Sequence, residues 1–289
     1  MLNRTLHIVS LIVLVALILT GCDSTGSSDT LDVTAEETAE SIAYALATDT
    51  GGALDDAEDA ATATQIVSGA LSALNAQREA EATDVRSNDC EFGLVTTCDF
   101  TLPRDLPRSD INFERIYEIR LFKDGELMRP VALRTTTPDS IRFTIVEGLG
   151  SVVTQRIDNE YTIRASDWVL SDLGDNAPTI NGASSRSMTG TLTRPNGTRN
   201  RIADVTTTFE DVVWIRDEGP ESGTIRGTYD AEVTITRDGE SATRTVDVAY
   251  TVTFTDGEGE LTFTGGGSRF NGETFTFDVD SGELTGSAS

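Results

Sequence analysis

The cysteines and the histidine are the residues to consider first for nucleophilic or metal chemistry. The chain has three cysteines and one histidine, and the histidine is His7, within the apolar start of the chain. Histidine activates the nucleophile in Ser-His-Asp and Cys-His sites and is a common ligand of zinc. Because no histidine follows residue 7, the sequence excludes these three kinds of site from the body of the protein.

Cys90 and Cys98 are the only cysteines after Cys22. Their spacing is not the Cys-x-x-Cys of redox motifs, and no histidine is present to activate a thiolate. Outside the cytoplasm, the sequence predicts a structural disulfide that closes a short loop. Closing such a loop with a disulfide adds roughly 2–3 kcal/mol to the free energy of unfolding by the chain-entropy estimate. A redox or nucleophilic role is the alternative.

Carboxylates are the remaining catalytic candidates, since the chain has 48 Asp and Glu residues. Glycosidases use carboxylate pairs, but among so many acids a pair in the sequence indicates nothing. The two tryptophans, Trp168 and Trp214, stand at strand spacing and are predicted to pack rather than to bind sugar. Lys123, the only lysine, adjoins a turn and is predicted to be exposed. We therefore expect no enzymatic activity.

Residues 277–283, Phe-Asp-Val-Asp-Ser-Gly-Glu, share the opening pattern of a calcium loop. They lack the acid at the fifth position and the closing bidentate glutamate. The segment is therefore predicted to be the last hairpin turn. We expect no cofactor, and calcium at acidic turns such as Asp278 and Asp280 is the alternative.

The start of the chain has the features of a secretory signal. Arg4 precedes twelve residues, 8–19, of which only Ser10 is polar. A membrane-spanning helix needs about 20 apolar residues, whereas this length suits a signal core. Leu19-Thr20-Gly21-Cys22 resembles the lipobox of bacterial lipoproteins.

This resemblance implies cleavage before Cys22 and attachment of diacylglycerol and an acyl chain such as palmitate to that residue. Acyl chains contribute about 0.8 kcal/mol per buried methylene to the free energy of membrane binding, so the protein would be anchored to a membrane. The expected location is the cell envelope, facing the periplasm or the cell surface. An ordinary signal peptide with a chance cysteine and an uncleaved anchor are the alternatives.

The charge of the chain restricts its partners. The net charge is −26, and removal of the signal takes away Arg4 but no acid. Such a field repels nucleic acid and anionic membrane surfaces, so nucleic-acid binding is excluded. The acids are expected to form a solvated surface rather than a site.

The hydropathy pattern predicts four segments: a signal peptide at 1–21, a flexible tether at 22–33, helices within 34–83 and an antiparallel β domain at 88–289. Thr34 and Glu37 form a capping box for a first helix, which Asp49-Thr50-Gly51-Gly52 ends. A second helix is predicted from about Leu54 to Ala82. Both helices have narrow apolar faces and should pack on the sheet.

The remainder of the chain alternates between apolar and polar residues, which is typical of half-buried antiparallel strands. Asx-Gly turns separate the apolar runs and predict roughly ten to twelve strands in sequential hairpins. Several strands are long and should bend or carry bulges. The predicted fold is mainly β, with a meander forming a curved sheet, half-barrel or barrel that one or two helices cover.

Two functions follow from this architecture. The first is a non-enzymatic structural or interaction module with an unknown envelope partner, because the sequence shows no convergent polar cluster. The alternative is binding or carriage of a lipid or other apolar ligand in the cupped sheet. That alternative requires an open cavity lined by Tyr229, Val233, Tyr250, Val252 and Phe275.

Overall fold

The computed structural model describes most of the chain from residue 31 onward. The described residues are 31–62, 64, 89–92, 96–106, 109–128, 136–173, 177–195, 197–215, 218–255 and 257–288. Side chains of residues 89–111 and 288 lie outside the description. The predicted signal peptide, lipobox and most of the tether also lie outside it, as does the second predicted helix beyond residue 64. The chain divides into residues 1–32 and 33–289, and the described helices and strands belong to the second unit.

The second unit is dominated by one antiparallel sheet of 13 strands. The strands follow one another in chain order, except that β4 pairs only with β3, and the curved sheet does not close. The strands are β1 (Asp89–Phe92), β2 (Thr96–Leu106), β3 (Ser109–Lys123), β4 (Glu126–Leu127), β5 (Ser140–Val153), β6 (Ile157–Ser171), β7 (Thr179–Arg194), β8 (Gly197–Ile215), β9 (Gly219–Arg237), β10 (Glu240–Thr255), β11 (Glu258–Phe263), β12 (Thr274–Asp278) and β13 (Leu284–Ala288). The predicted mainly β fold is confirmed, in its open form.

Turn chemistry and bulges shape this meander as expected. The hairpin turns at Asp124-Gly125 and Asp238-Gly239 have positive φ at both residues, as type I′ turns require. The longest strands, β8 and β9, have 19 residues each. Their pairing shifts register near Glu210 and Val213, where Asp211 has φ of 50°. Bulges of this kind bend a long strand.

The inner face of the sheet forms the core. Trp168 and Trp214 are buried there, as predicted. Trp168 stacks on Phe143 with ring centroids 6.2 Å apart and meets Phe209 edge-on at 5.8 Å. These aromatic contacts join β5, β6 and β8 across the inner face.

Within the described residues, two helices precede the sheet. Helix α1 is Ala35–Leu46, and its capping box is formed as predicted, with Glu37 N donating to Thr34 Oγ1 and Thr34 N donating to the Glu37 carboxylate. Helix α2 covers residues 53–62. Neither described helix combines the length and the apolar character needed to span a membrane.

Candidate functional site

Four of the arginines that the structure describes lie on the inner, core-forming face of the sheet. Arg115 comes from β3, Arg186 from β7, and Arg199 and Arg201 from β8, and each is at most 5% exposed. A buried guanidinium remains charged, so it needs hydrogen-bond partners and a neutralising charge. Acids of the two helices meet three of these arginines. The expectation that the acids form only a solvated surface, with no convergent polar cluster, is therefore wrong.

The first group, here called the α2 cluster, consists of Asp55, Asp56, Asp59, Arg115, Arg186 and Tyr117. Arg115 contacts all three aspartates, with N–O distances of 2.8 Å to Asp55, 2.9 Å to Asp56 and 2.8 Å to Asp59. Arg186 binds the second oxygen of Asp56 and donates to the Gly51 carbonyl at 2.8 Å. This arrangement ties the start of α2 to strands β3 and β7.

The α2 cluster holds three carboxyl groups against two guanidinium groups. The pKa of Asp59 is raised to about 6, mainly by burial and secondly by the negative charge of Asp55. The positive charge of Arg115 opposes this increase. Burial also raises the pKa of Asp56, against the attraction of Arg115 and Arg186. The Tyr117 hydroxyl donates to Asp59, and burial raises the pKa of Tyr117 well above its usual value. Protonation of Asp59 would bring this group to charge balance.

The second group, here called the α1 cluster, consists of Glu37, Glu40, Ser41, Arg156, Arg194, Arg199 and Arg201. Glu37 binds Arg199 at 2.8 Å. Glu40 binds Arg156 at 2.5 Å and also binds Arg194. Glu40 and Ser41 follow Glu37 by three and four residues, so they lie next to Glu37 on one side of the helix. Helix α1 is docked through charges as well as through its apolar residues.

The loop between the helices is fixed by close packing. Gly51 has φ of 66°, and a Cβ at this position would lie 1.6 Å from the Phe113 ring. The loop also pairs with the last hairpin turn, since Thr48 N donates to Val279 O at 3.1 Å and Thr48 Oγ1 to Asp280 Oδ1 at 3.0 Å. The Gly51 carbonyl can therefore meet Arg186 at a fixed place.

The acidic segment 277–283 forms the turn between β12 and β13, as predicted. Asp278 Oδ1 accepts hydrogen bonds from Ser281 N at 2.7 Å and Asp280 N at 3.2 Å, both within the turn. The described residues contain no group of three or more Asp, Glu, His or Cys side chains arranged to hold a metal. The turn uses its carboxylates for its own fold and for docking the loop after α1.

The five residues proposed to line a ligand cup all lie in the core. Their exposed fractions are Tyr229 1%, Val233 6%, Tyr250 1%, Val252 0% and Phe275 5%. Tyr229 and Val233 border a cavity of about 10 Å³ under α1, which is near the size of a single water. In the described part of the protein this region is thus a packed core rather than a cup for a lipid.

Cys90 and Cys98 face each other in the register of β1 and β2. Directly opposed residues of antiparallel strands have Cα atoms about 4.5–5.5 Å apart, a separation that a disulfide can bridge. No disulfide occurs among the described side chains, which do not include these two. The disulfide therefore stays a prediction.

The outer face of the sheet is polar and rich in threonine. Threonines of neighbouring strands hydrogen-bond across it, with hydroxyl distances of 2.9 Å for Thr206–Thr228 and 3.0 Å for Thr234–Thr243. One row also aligns aspartates of β8, β9 and β10: Asp204, Asp230 and Asp247. This face offers hydroxyl and carboxylate groups to the solvent.

The sequence did contain a signal for the two clusters. Arg115 has the same strand parity as Phe113 and Tyr117, and Arg186 the same as Met188. A charged residue at a core position of a strand requires buried partners, and acids of the helices provide them for Arg115, Arg186 and Arg199.

Comparisons of the chain with protein-family models, with curated proteins and with solved structures find no match.

Proposed function

We propose that the protein is a lipid-anchored protein of the cell envelope that acts as a non-enzymatic structural or interaction module. The single observation that carries the non-enzymatic role is the covering of the inner face by two helices held through buried ion pairs. This covering leaves the outer, threonine-rich face as the surface for contact with other molecules.

The ionic contacts support a permanent position for the helices. Leaving the sheet would strand Asp56, Arg115 and Arg186, each at most 2% exposed, without their partners. Breaking a buried pair by removal of one partner costs about 3–5 kcal/mol. A carrier would have to open this face to load its ligand, and the residues proposed for its cup are packed together instead.

The assignment of no catalytic role rests on the residues available. After the signal the chain has no histidine, and the buried acids Glu37, Glu40 and Asp56 are bound to arginines. A carboxylate held by guanidinium groups in a closed interface has no access to a substrate.

The proposed location rests on the lipobox-like segment that ends at Cys22. Its test is expression of the wild type and Cys22→Ser in a bacterial host, followed by membrane fractionation and intact-mass measurement of the mature protein. We expect a lipid mass increment on the wild type in the membrane fraction and an unmodified, released variant. Continued membrane attachment of Cys22→Ser would contradict the proposal.

The non-enzymatic role is tested in a deletion strain of the host organism. We expect the wild-type gene to restore an altered envelope property, such as detergent sensitivity, and Cys22→Ser to fail. Loss of a specific hydrolytic activity that returns only when particular acidic residues are intact would overturn the assignment.

A further inference from the structure

Arg201 differs from the other three buried arginines because no carboxylate binds it in the described structure. Its guanidinium donates to Ser41 Oγ at 2.6 Å and to Asn159 Oδ1 at 3.1 Å. Both partners are uncharged, and Arg201 is only 3% exposed. Arginine does not lose its proton inside proteins, so Arg201 brings a full positive charge into the core.

Neighbouring groups do not neutralise this charge. Glu37 lies near but is bound to Arg199. Tyr161 and Tyr229 keep their protons, because burial raises the pKa of each hydroxyl. The α1 cluster as a whole has four arginines against two glutamates, and two of those arginines, Arg156 and Arg194, are 48% and 19% exposed at the side chain. The excess charge at Arg201 has no such access to the solvent.

A small cavity lies beside Arg201. Its lining includes Ser41, Arg199, Arg201 and Tyr229, and its volume is about 10 Å³. A cavity of about 10–15 Å³ holds one water-sized particle. Arg201 Nε is buried and makes no hydrogen bond within the described structure, and the buried Tyr229 hydroxyl lies against Ser41 and Arg201. The cavity thus combines a positive charge, a guanidinium N–H of Arg201 without a partner, the hydroxyl of Tyr229 and room for one small particle.

We infer that this cavity binds a single monovalent anion of about the size of chloride, held by the guanidinium of Arg201 and the hydroxyl of Tyr229. A water molecule would fill the space but would leave the charge uncompensated. Glu37 at the same cavity disfavours a second negative charge, so a divalent anion does not fit. The inference is independent of the proposed function.

The test is thermal unfolding of the purified full-length protein in sodium chloride and sodium gluconate mixtures of constant ionic strength. A ligand that binds only the folded state raises the melting temperature with the logarithm of its concentration above Kd. We expect this response to chloride in the wild type and not in Arg201→Gln. The matched control Arg226→Gln also removes one guanidinium, but from an exposed ion pair with Glu210, and should keep the response.

Two further measurements decide the matter if Arg201→Gln does not fold. Tyr229→Phe removes one donor and should raise the chloride concentration for half effect by about tenfold or more, as expected for one hydrogen bond to a charged group. Crystals grown in sodium bromide should show an anomalous peak in the cavity. A wild type without a chloride response, an Arg201→Gln response equal to that of the wild type, or a cavity without bromide would each overturn the inference.

Discussion

Asp59 gives the sharpest prediction, because its environment makes the stability of the fold depend on pH. Its pKa is raised from 3.8 to about 6, mainly by burial, and its side chain is 16% exposed. The folded state therefore binds a proton more tightly than the unfolded state, which stabilises the fold. This stabilisation is complete below about pH 4. It is lost as the pH rises through 6. A shift of about two units corresponds to about 3 kcal/mol.

The substitution Asp59→Asn removes this titration and keeps an oxygen that can accept from Tyr117. The free energy of unfolding of the variant, minus that of the wild type, should therefore rise by up to about 3 kcal/mol between pH 4 and pH 7.5. Urea unfolding followed by tryptophan fluorescence at a series of pH values measures this difference. The exposed Asp158→Asn is the control for loss of one acid. A difference for Asp59→Asn that stays constant, or falls with pH, would refute the reasoning.

Two substitutions test how the helices are held, and urea unfolding measures both. Gly51→Ala should lower the free energy of unfolding by several kcal/mol, because positive φ costs about 1–2 kcal/mol and overpacking typically adds about 1–3 kcal/mol. Gly125→Ala is the matched control. Gly125 has φ of 78° but open space around it, so this variant should show only the first cost. Equal losses for the two would contradict the tight packing of the loop. Arg186→Met should destabilise by about 3–5 kcal/mol because it removes the donor to Asp56 Oδ2 and leaves Arg115 as the only arginine of the α2 cluster against its three carboxyl groups, whereas Arg226→Met on the surface should cost about 1 kcal/mol or less. A loss near zero for Arg186→Met would show that its ion pair does not hold α2.

The sheet could be predicted from local signals. The alternation in Val246, Val248, Tyr250, Val252 and Phe254 specifies which side of the strand is buried, and all five are buried. Such signals involve neighbours in the chain, because strand parity and turn chemistry are local properties. The range of the second helix beyond residue 64 stays a prediction.

The two ionic clusters could not be predicted in the same way. Arg115 and Asp56 meet only after the helices fold onto the sheet, and Glu37 and Arg199 are 162 residues apart in the chain. Among 48 acids, no local pattern distinguishes the few that become buried. The parity of the arginines was the available signal, but arginine at a strand position is more often solvated.

The central claim is that α1 and α2 are a permanent part of the fold, so that the outer face is the working surface. Hydrogen exchange measured by mass spectrometry tests this claim directly, because it gives the free energy of opening for each segment. We predict that amides of Ala35–Leu46 and of residues 53–62 are protected as strongly as those in the middle of β8 and β9. Exchange of both helices at a much lower opening free energy than the sheet would contradict the claim, because the inner face would then be accessible to a ligand.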